Sequence, residues 1–520
     1  MNLLDSKKTY SPAILFAVFC LLILLLGLRG IPGNPTPKTL NSTTWKEDGP
    51  LELSPERGRF ALMYSMIEDN SLTFSLDLAR FTTPDVGYVH GKYVSLFAPG
   101  LSILIIPGYL LGKYFGASVV GVFAVIALFA LFNALLIRAI AIRLKTNPWA
   151  ANLAAVTFLF ATPGFAYGVS LYQHQISTFV ILFSIYALMR WDNLWSVALV
   201  WFLAAVSIVT DYPNVVLMLP IAIYALTRII IVKSELSGLQ VRLRSIGALT
   251  FLTAVLPLAL FLWFNEASFG NPLQLSATVT RVQEINNQGL PAQPKVSQFA
   301  DVPSVAVLNH NKTAVGFFKT RNLLNGFYEH FISPDRGIIR FTPVILLGIF
   351  GLILMFRQDL SFAKLFLAVT GLDLLLYSMW GDPYGGWAFG SRYLIPAYAL
   401  LAVGLGLFLN KLKKNNIVLL IFLAMFGYSV WVNSLGALTS NSNPPQPEIL
   451  ALEQVSGKEE KYTYARNYDY LISKGSKSFV YQIWAKNYLS AKNYHTVVFG
   501  LLLAAGVFMI IRLRFFEYDH

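Results

Sequence analysis

The sequence has very little cysteine and little charge. Cys20 is the only cysteine in 520 residues, which excludes an intrachain disulfide, a cysteine zinc site and a thioredoxin-type cysteine pair. Charged residues make up 13% of the chain and hydrophobic residues 55%, whereas soluble domains contain about 25% charged residues. Because so few charges cannot coat a soluble protein of this size, we expect a membrane protein whose surface contacts lipid.

Several motifs of enzyme chemistry are absent as well. The chain has no Walker loop, no G-x-G-x-x-G fingerprint and no Gly-x-Ser-x-Gly elbow. The one Glu-x-Asp triplet, at 517–519, lies in the C-terminal tail, so no outer loop carries the acidic triplet that commonly holds a divalent metal with a nucleotide sugar. The sequence supports neither nucleotide binding nor ATP hydrolysis, and we predict no metal site and no cofactor.

The positive charge of the chain does not indicate a nucleic-acid partner. The formal net charge is +13, but the lysines and arginines are dispersed into loop clusters and form no basic helix or stripe that could follow a phosphate backbone. Membrane topology explains their distribution better, because cytoplasmic loops are enriched in lysine and arginine.

Apolar runs near 20 residues recur along the chain, each about long enough to cross a hydrocarbon core of roughly 30 Å. The first follows Lys7 and Lys8 and has no A-x-A cleavage site after it, so we interpret it as a retained helix rather than a signal peptide. Twelve transmembrane helices are predicted, near residues 11–30, 117–137, 149–170, 175–190, 194–210, 213–232, 246–266, 341–356, 363–380, 393–410, 416–438 and 496–511.

A thirteenth apolar run, at 95–112, decides the topology. If it does not cross the membrane, every cytoplasmic loop is basic; if it crosses, the bias of all later loops is reversed. With Pro99 and Pro107 inside it, the run is better interpreted as an interfacial helix. Both chain ends then lie inside, and the predicted site faces the outside of the cell membrane or the periplasm.

These observations predict an all-α polytopic membrane protein with about twelve transmembrane helices and interfacial helices in the first outer loop. The predicted units are 1–30 (N-terminus and first helix), 31–116 (first outer loop), 117–438 (transmembrane core with outer loop 267–340), 439–494 (C-terminal outer loop or small cap) and 495–520 (last helix and tail).

Carboxylates group at the predicted outer boundary. At a partly apolar interface a carboxylate can have a raised pKa and accept a proton from a hydroxyl nucleophile. The alternative for each is a solvated loop charge. The candidate catalytic acids are Glu56, Glu68, Asp69 and Asp211, and two further acids, Asp85 and Asp382, are candidate substrate ligands.

Basic and aromatic residues share this boundary. The planar fork of arginine can donate two hydrogen bonds to one phosphate, although these side chains could instead pair with neighbouring acids or lipid headgroups. The candidate phosphate ligands are Arg57, Arg59, Lys92, Arg336 and Arg392. Aromatic and histidine side chains suited to stacking on a sugar or anchoring an interface are Tyr88, Tyr172, His174, Trp387 and Tyr393.

Four local motifs carry most of these residues. In 54–61, Pro55 precedes an interfacial helix and sets Glu56 near the positive end of its dipole. The segment 172–175 begins a helix with polar groups, and 211–214 puts an acid in a very short turn between two apolar helices, where charge is costly and usually marks a site. The segment 380–393 is rich in glycine and aromatic residues.

In their order and topology, these motifs resemble those of the integral-membrane GT-C glycosyltransferases. An acid soon after the first helix, the segments 85–93 and 97–100, Asp211-Tyr212-Pro213, the segment 333–337 and the stretch 385–393 are most similar to the glycosyltransferase family 39 type group, which is related to protein O-mannosyltransferases and aminoarabinose transferases. The resemblance covers residues 11 to 410.

The resemblance implies a polyprenyl-phosphate-linked monosaccharide as donor and an inverting transfer. It also implies a catalytic carboxylate in the first outer loop, at the position of Glu56, which would deprotonate the acceptor hydroxyl. Many relatives carry a second acid next to it, where this chain has Arg57, so Glu68 and Asp69 stay open as alternatives. The acceptor would be a glycan, a lipid or a protein. A flippase for lipid-linked sugars and a non-catalytic partner in an envelope-polysaccharide assembly are the alternative functions.

Overall fold

The computed structural model describes residues 3–235, 238–243, 245–292, 314–357 and 359–515. Within these ranges the chain is mainly helical. The helices of the first half are, in chain order, α1 (Leu3–Gly27), α2 (Pro37–Leu40), α3 (Thr43–Asp48), α4 (Ser54–Glu68), α5 (Leu76–Thr82), α6 (Pro99–Leu104), α7 (Ile106–Tyr114), α8 (Ser118–Arg143), α9 (Pro148–Phe160), α10 (Gly164–Gly168), α11 (His174–Arg190), α12 (Leu194–Thr210) and α13 (Asn214–Thr227).

The second half continues the same pattern, with short 3₁₀ turns at Leu249–Ala254, Pro343–Leu346 and Arg392–Leu394 leading into helices. Its α-helices are α14 (Ser245–Ala248), α15 (Val255–Phe269), α16 (Leu323–Phe331), α17 (Ile338–Phe341), α18 (Leu347–Met355), α19 (Leu360–Ser378), α20 (Ile395–Lys411), α21 (Asn416–Leu438), α22 (Gln446–Ser456), α23 (Tyr464–Ser473), α24 (Phe479–Ile483) and α25 (Ala491–Phe515).

The strands are short, and every described pairing is antiparallel. They are β1 (Val86–Val89), β2 (Lys92–Ser95), β3 (Ile230–Glu235), β4 (Gly238–Leu243), β5 (Arg281–Val282), β6 (Glu284–Ile285) and β7 (Pro291–Ala292). A three-stranded sheet in the order β2-β1-β5 joins the segment 28–117 between α1 and α8, called the first long loop, to the loop after α15. Strand β3 pairs with β4, and β6 with β7. This sheet holds two loops that are distant in sequence against each other.

The helical membrane architecture predicted from hydropathy is confirmed, because each of the twelve apolar runs contains a helix. In the described part of the chain, six helices are long and apolar enough to span a membrane: Ser118–Arg143, Ile246–Phe269, Leu360–Ser378, Arg392–Lys411, Asn416–Leu438 and Ala491–Phe515. Shorter apolar helices are Pro12–Gly27, Pro148–Phe160, Leu194–Thr210, Asn214–Thr227 and Pro343–Met355. The protein is therefore a multi-pass α-helical membrane protein.

Two predicted runs differ in detail from the observed helices. The run 149–170 is broken between α9 and α10, where Pro163 lacks a backbone N–H and the Thr162 hydroxyl instead donates to the carbonyl of Phe158 at 2.6 Å. In the run 213–232, the helix ends at Thr227. Consecutive β-branched residues follow and favour the strand β3.

The run 95–112 does not form one long helix. It forms the end of β2 and then α6 and α7, of six and nine residues, each too short to cross a core of about 30 Å. Helix α7 lies tightly against α8, because a Cβ on Gly108 would lie 2.4 Å from the carbonyl oxygen of Gly121. The place of this segment relative to the bilayer stays a prediction.

Helices α9, α10 and α20, with the first turn of α11, form the centre of the bundle. Every residue from 150 to 178 is buried, as is every residue from 395 to 407 in α20. Helices α18 and α20 approach closely at a glycine pair, since a Cβ on Gly351 would lie 1.7 Å from the carbonyl oxygen of Gly404. At one end of this core the buried sequence becomes polar, and the long loops gather there.

The C-terminal segment 439–490 is bound to the end of α1. Arg29 donates to the carbonyl oxygens of Gly436 and Ala437 at 2.6 and 3.2 Å and to Oδ1 of Asn441 at 3.0 Å. The Ser478 hydroxyl donates to the carbonyl of Leu26 at 2.6 Å. The contacts of Asn441 and Ser478 hold the C-terminal segment, called the cap below, at the end of α1. Lys474 and Lys477 of the cap also pair with Asp48 and Glu52 of the first long loop.

Candidate active site

A small chamber lined by polar and aromatic side chains lies where four turns meet at the loop end of the bundle. Its volume is about 160 Å³. The first turn of α4, the turn before α11, the turn between α12 and α13 and the turn before α20 all contribute to it. Its lining residues are Pro55, Arg59, Phe97, Tyr172, Gln173, Asp211, Pro213, Tyr377, Trp380, Arg392 and Tyr393.

A hydrogen-bonded chain crosses this polar chamber. Nη2 of Arg59 donates to Oε1 of Gln173 at 2.6 Å, and Nε2 of Gln173 donates to Oδ2 of Asp211 at 3.1 Å. Nη1 of Arg59 donates to the Pro55 carbonyl at 3.1 Å. Gln173 thereby joins a cation to a carboxylate and fixes both side chains at the chamber wall.

Arg392 is the second arginine of the chamber. Its guanidinium carbon lies 5.0 Å from the ring centre of Tyr172 and 5.4 Å from that of Tyr393, close enough for cation–π attraction. Nη2 donates to the Gly385 carbonyl at 2.7 Å. Its Nε and Nη1 atoms are buried without a hydrogen-bond partner among the described residues, so two donors are free for an anion.

Stacked rings hold the two arginines in place. The guanidinium carbon of Arg59 lies 5.9 Å from the ring centre of Tyr172 and 4.8 Å from that of Phe97. Behind the chamber, His174 stacks on Tyr172 at 6.0 Å and 10°. Two cations therefore lie close to the ring of one tyrosine, and a bound anion would relieve their mutual repulsion.

An apolar groove of about 380 Å³ adjoins the chamber. Arg59, Phe97, Asp211, Pro213 and Trp380 line both cavities. The other lining residues of the groove are mostly apolar: Leu96, Ala98, Ile208, Thr210, Tyr212, Val215, Val216, Leu275, Ala277, Phe317 and Phe318. The two cavities together match a ligand with an anionic head and a long apolar tail.

Asp211 is the carboxylate that borders both cavities. Burial raises the pKa of its carboxyl above the ordinary value, against the lowering effects of the Gln173 hydrogen bond and of Arg59. Burial likewise lowers the pKa of Arg59, to about 10. A carboxylate with a raised pKa is a better proton acceptor than an ordinary one.

Glu56 lies behind the chamber wall. Its Oε2 accepts from the backbone N–H groups of Glu52 and Leu53 at 3.0 and 3.3 Å, as a capping residue of α4 does. Its Oε1 accepts from the N–H of Leu171 at 3.1 Å, next to Tyr172. Glu56 is completely buried. Burial, and then the charge of Glu52, raise the pKa of the Glu56 carboxyl.

The structure brings together only part of the predicted site. Arg59, Tyr172, Asp211, Arg392 and Tyr393 line the chamber, and His174 and Glu56 lie directly behind it. Arg57 and Arg336, predicted as phosphate ligands, are bound by backbone carbonyl oxygens instead. The guanidinium of Arg57 donates to the carbonyls of Lys46, Leu51 and Glu52, and that of Arg336 to the carbonyls of Asp335, Tyr384, Gly386 and Asn443.

Other predicted residues of the first long loop lie apart from the chamber. Glu68 accepts from Lys113 at 2.6 Å and Asp69 follows it, at the far end of α4, about 18 Å along the helix from Glu56. Asp85 is bound by the Ser54 hydroxyl and by Arg281. Tyr88 and Lys92 belong to the hairpin β1–β2, where Tyr88 packs on the ring of Tyr93.

Two predicted residues near α20 also have local partners. Oδ2 of Asp382 accepts from the N–H of Gly386 at 2.7 Å. Nε1 of Trp387 donates to Oε2 of Glu448 at 2.5 Å, which connects this loop to α22. Neither side chain lines the polar chamber.

Sequence reasoning missed several residues of this region. Phe97, Gln173 and Trp380 were part of recognised motifs but were not selected, and Tyr377 resembles any other aromatic residue of a membrane helix. No group of three or more His, Cys, Asp or Glu side chains suited to a metal ion occurs in the part of the chain that the structure describes.

No family model and no curated protein matches this chain. It is similar to the crystal structure of ArnT from Cupriavidus metallidurans in the apo state, at 14% identity and a TM-score of 0.47 over 98% of this chain and 78% of that chain. The structure of the same protein bound to undecaprenyl phosphate aligns at 14% identity and 0.46, covering 96% of this chain and 77% of that one. The chemistry of the chamber is therefore inferred from this chain's own residues.

Proposed function

We propose that this protein is a membrane glycosyltransferase that moves one sugar from a polyprenyl-phosphate donor to an acceptor hydroxyl on the outer face of the membrane. The observation that carries the proposal is the pair of joined cavities, an apolar groove of about 380 Å³ that opens into a polar chamber with two arginines and a carboxylate. The first isoprenoid units of the tail would lie in the groove, with the phosphate at the arginines of the adjoining chamber.

The arginines supply the electrostatic part of the reaction. The donor phosphate is a diester with one negative charge, and it leaves as a monoester with a charge approaching two. Arg59 and Arg392 therefore bind the leaving group more strongly in the transition state than in the ground state, which is the requirement for catalysis. This role needs no divalent cation, and the proposed transfer is metal-independent.

The transfer is written as a single displacement with inversion. The acceptor oxygen bonds to the anomeric carbon while the bond from that carbon to the phosphate oxygen breaks. The acceptor proton passes to a carboxylate, and polyprenyl phosphate leaves. Aromatic rings such as Trp380 and Tyr393 supply the stacking surface for the sugar.

Two carboxylates compete for the role of base. The family resemblance assigns it to Glu56, whereas the cavity lining favours Asp211. Glu56 has three backbone N–H donors and is completely buried behind Leu171 and Tyr172, so it must move before it can contact an acceptor hydroxyl. Asp211 needs no such movement.

The experiment measures sugar transfer from a radiolabelled polyprenyl-phosphate donor by purified Glu56→Gln and Asp211→Asn variants, with donor binding measured in parallel. The variant that lacks the base loses transfer and keeps binding. For wild-type protein, transfer should fall as the pH drops through the raised pKa of the base, above the ordinary carboxylate range near about 4.

Three results would contradict the proposal. Unchanged transfer in both variants would refute the carboxylate mechanism. If the wild type transferred no sugar from any polyprenyl-phosphate donor, the transferase function would be refuted. Sugar that crosses vesicles without being transferred favours the alternative, a transporter of lipid-linked sugars.

A further inference from the structure

Two opposite charges of the polar chamber do not pair with each other. Arg59 and Asp211 both line the chamber, yet none of the ion pairs among the described residues joins them. Such a pair is favoured where little water is present, because the attraction between two charges grows as the dielectric falls. The side chain of Gln173 lies between them instead.

The amide of Gln173 is oriented to bind both charges. Its carbonyl oxygen, Oε1, accepts from Nη2 of Arg59 at 2.6 Å, and its nitrogen, Nε2, donates to Oδ2 of Asp211 at 3.1 Å. A guanidinium has only donors and a carboxylate has only acceptors, so the opposite orientation of the amide would lose both bonds. The chemistry of the two neighbours therefore fixes the amide in one orientation.

The backbone of Gln173 is held by a helix that carries neither charge. Its carbonyl begins α11, since it accepts from the N–H groups of Ile176 and Ser177, both at 2.9 Å. The side chain is 8% exposed. Arg59 belongs to α4, and Asp211 follows α12. The separation of the two charges is thus set by a third element.

Arg59 keeps its positive charge uncompensated by these contacts. Its guanidinium donates to the Pro55 carbonyl at 3.1 Å and to the Gln173 amide, and both acceptors are neutral. A direct ion pair with Asp211 would cancel the charge that attracts a phosphate. Binding through a neutral amide orients the arginine and leaves its charge available.

Asp211 likewise has a neutral partner. Burial raises the pKa of its carboxyl, and the hydrogen bond from Gln173 is the largest opposing effect, ahead of the charges of Arg59 and Arg392. A hydrogen bond to the charged form lowers a pKa by about one to two units. The charged and titratable groups around Asp211 are Arg59 on α4, Tyr212 beside it, Tyr377 on α19, and Arg392 and Tyr393 before α20.

We propose that Gln173 is a positioning residue, whose neutral amide holds Arg59 for the donor phosphate and Asp211 for the acceptor proton without neutralising either. This inference rests on the proposed function, with Asp211 as the base. It assigns to Gln173 the task of keeping a cation and a carboxylate in one chamber as two separate reagents.

The first test variant, Gln173→Met, keeps the length of the side chain and removes both hydrogen bonds. The titration of Asp211 should move upward by about one to two pH units, and the acid limb of sugar transfer should move with it. Arg59 keeps its charge and its bond to Pro55, so binding of farnesyl phosphate should stay within about threefold of the wild type.

The second variant, Gln173→Glu, tests the neutrality of the bridge. A carboxylate at this position pairs with Arg59 and repels the charge of Asp211. The titration of Asp211 should again move upward, because a neighbouring like charge disfavours the ionised form. Farnesyl phosphate should bind about tenfold more weakly, because the new carboxylate neutralises the arginine.

Both readouts are independent of sugar transfer. The protonation of Asp211 is followed by infrared difference spectroscopy of the full-length protein in nanodiscs, as the protonated-carboxyl band that Asp211→Asn lacks. Binding of farnesyl phosphate is measured by calorimetry at one fixed pH, with empty nanodiscs as the blank. Failure of the transferase function, seen as no transfer by the wild type, is therefore distinguishable from failure of this inference.

Gln175→Met is the matched control. Gln175 is a fully buried amide that donates to the Gly164 carbonyl at 2.7 Å and accepts from Asn133 at 2.8 Å, and it lines neither donor cavity. Its loss removes two hydrogen bonds between neutral groups. It should lower the unfolding temperature and leave both the Asp211 titration and farnesyl phosphate binding unchanged.

The inference fails if the Asp211 signal in Gln173→Met stays in place or moves downward. It also fails if Gln175→Met moves that signal equally, or if farnesyl phosphate binds Gln173→Glu as tightly as the wild type. An acid limb of transfer that does not follow the Asp211 signal would refute Asp211 as the base and, with it, the role of Gln173 in proton transfer.

Discussion

Replacing Arg392 by glutamine should remove most of the proposed catalytic activity without unfolding the protein. In the wild type, Nε and Nη1 have no hydrogen-bond partner within the described residues, and only Nη2 is bound, to the Gly385 carbonyl. The variant therefore loses one internal hydrogen bond of about 1 kcal/mol and the cation–π contacts with Tyr172 and Tyr393, worth about 0.5–1 kcal/mol each. It also loses the positive charge that faces the leaving phosphate.

The expected loss of activity follows from the change of charge during the reaction. Removing one preorganised donor to a developing oxyanion typically costs about 10²- to 10³-fold in kcat, or about 2.7–4 kcal/mol. Arg392 offers two free donors and a full charge, so we expect a loss of about 10³-fold in kcat for Arg392→Gln. Arg392→Lys keeps the charge but not the planar fork, and should lose about 10- to 10²-fold.

The assay is single-turnover transfer from a radiolabelled polyprenyl-phosphate sugar, with thermal unfolding recorded on the same samples. Arg143→Gln is the matched control, because Arg143 is an exposed arginine at the end of α8, outside the cavities described. If Arg392→Gln folds normally and retains transfer within about threefold of the wild type, the assignment of the leaving-group site is refuted.

Three further predictions concern stability and topology. Glu52→Gln leaves two buried cations without their shared carboxylate and should cost about 3–5 kcal/mol in unfolding free energy, unlike exposed Glu459→Gln. Because these cations, against burial, hold the pKa of Glu52 below its ordinary value, the difference should shrink as the pH falls through that lowered pKa. Gly351→Ala should lower the unfolding temperature, because a Cβ there meets a carbonyl oxygen at 1.7 Å, whereas Gly371→Ala has no atom within 4 Å and should be neutral or slightly stabilising. Lys113→Cys should react with a membrane-impermeant thiol reagent added from outside, since the one native cysteine is buried; labelling from the cytoplasm only would invert the predicted topology.

A buried charge cluster connects the cap to the first long loop. Arg29, Glu52 and Lys477 form a buried charge cluster whose side chains are 0%, 4% and 11% exposed. Such a cluster is destabilising when one partner is removed, because the remaining charges are left without compensation.

Hydropathy was sufficient to predict the helices, because each apolar run must satisfy its backbone hydrogen bonds internally once it is in lipid. Hydropathy did not predict where the helices are interrupted. The break after α9 depends on Pro163 and on a side-chain bond of Thr162, and the hairpin β3–β4 replaces the expected end of a helix. The run 95–112 was recognised as different from the others by its prolines and by the charges of the surrounding loops.

Residue type and place in the chain indicated Arg59, Asp211 and Arg392 as functional candidates, and the same reasoning indicated Arg57 and Arg336 equally. Composition and spacing cannot tell these arginines apart, since all carry the same charge near the same membrane boundary. Only the tertiary structure separates them. Backbone carbonyl oxygens already bind most of the donors of Arg57 and Arg336. Arg392 lies at a cavity enclosed by turns from distant parts of the chain, and two of its donors stay free for a ligand. The sequence alone determines the membrane character of this protein, because the free energies of transferring successive residues into lipid nearly add along the chain. Its candidate site, in contrast, exists only through contacts between residues hundreds of positions apart.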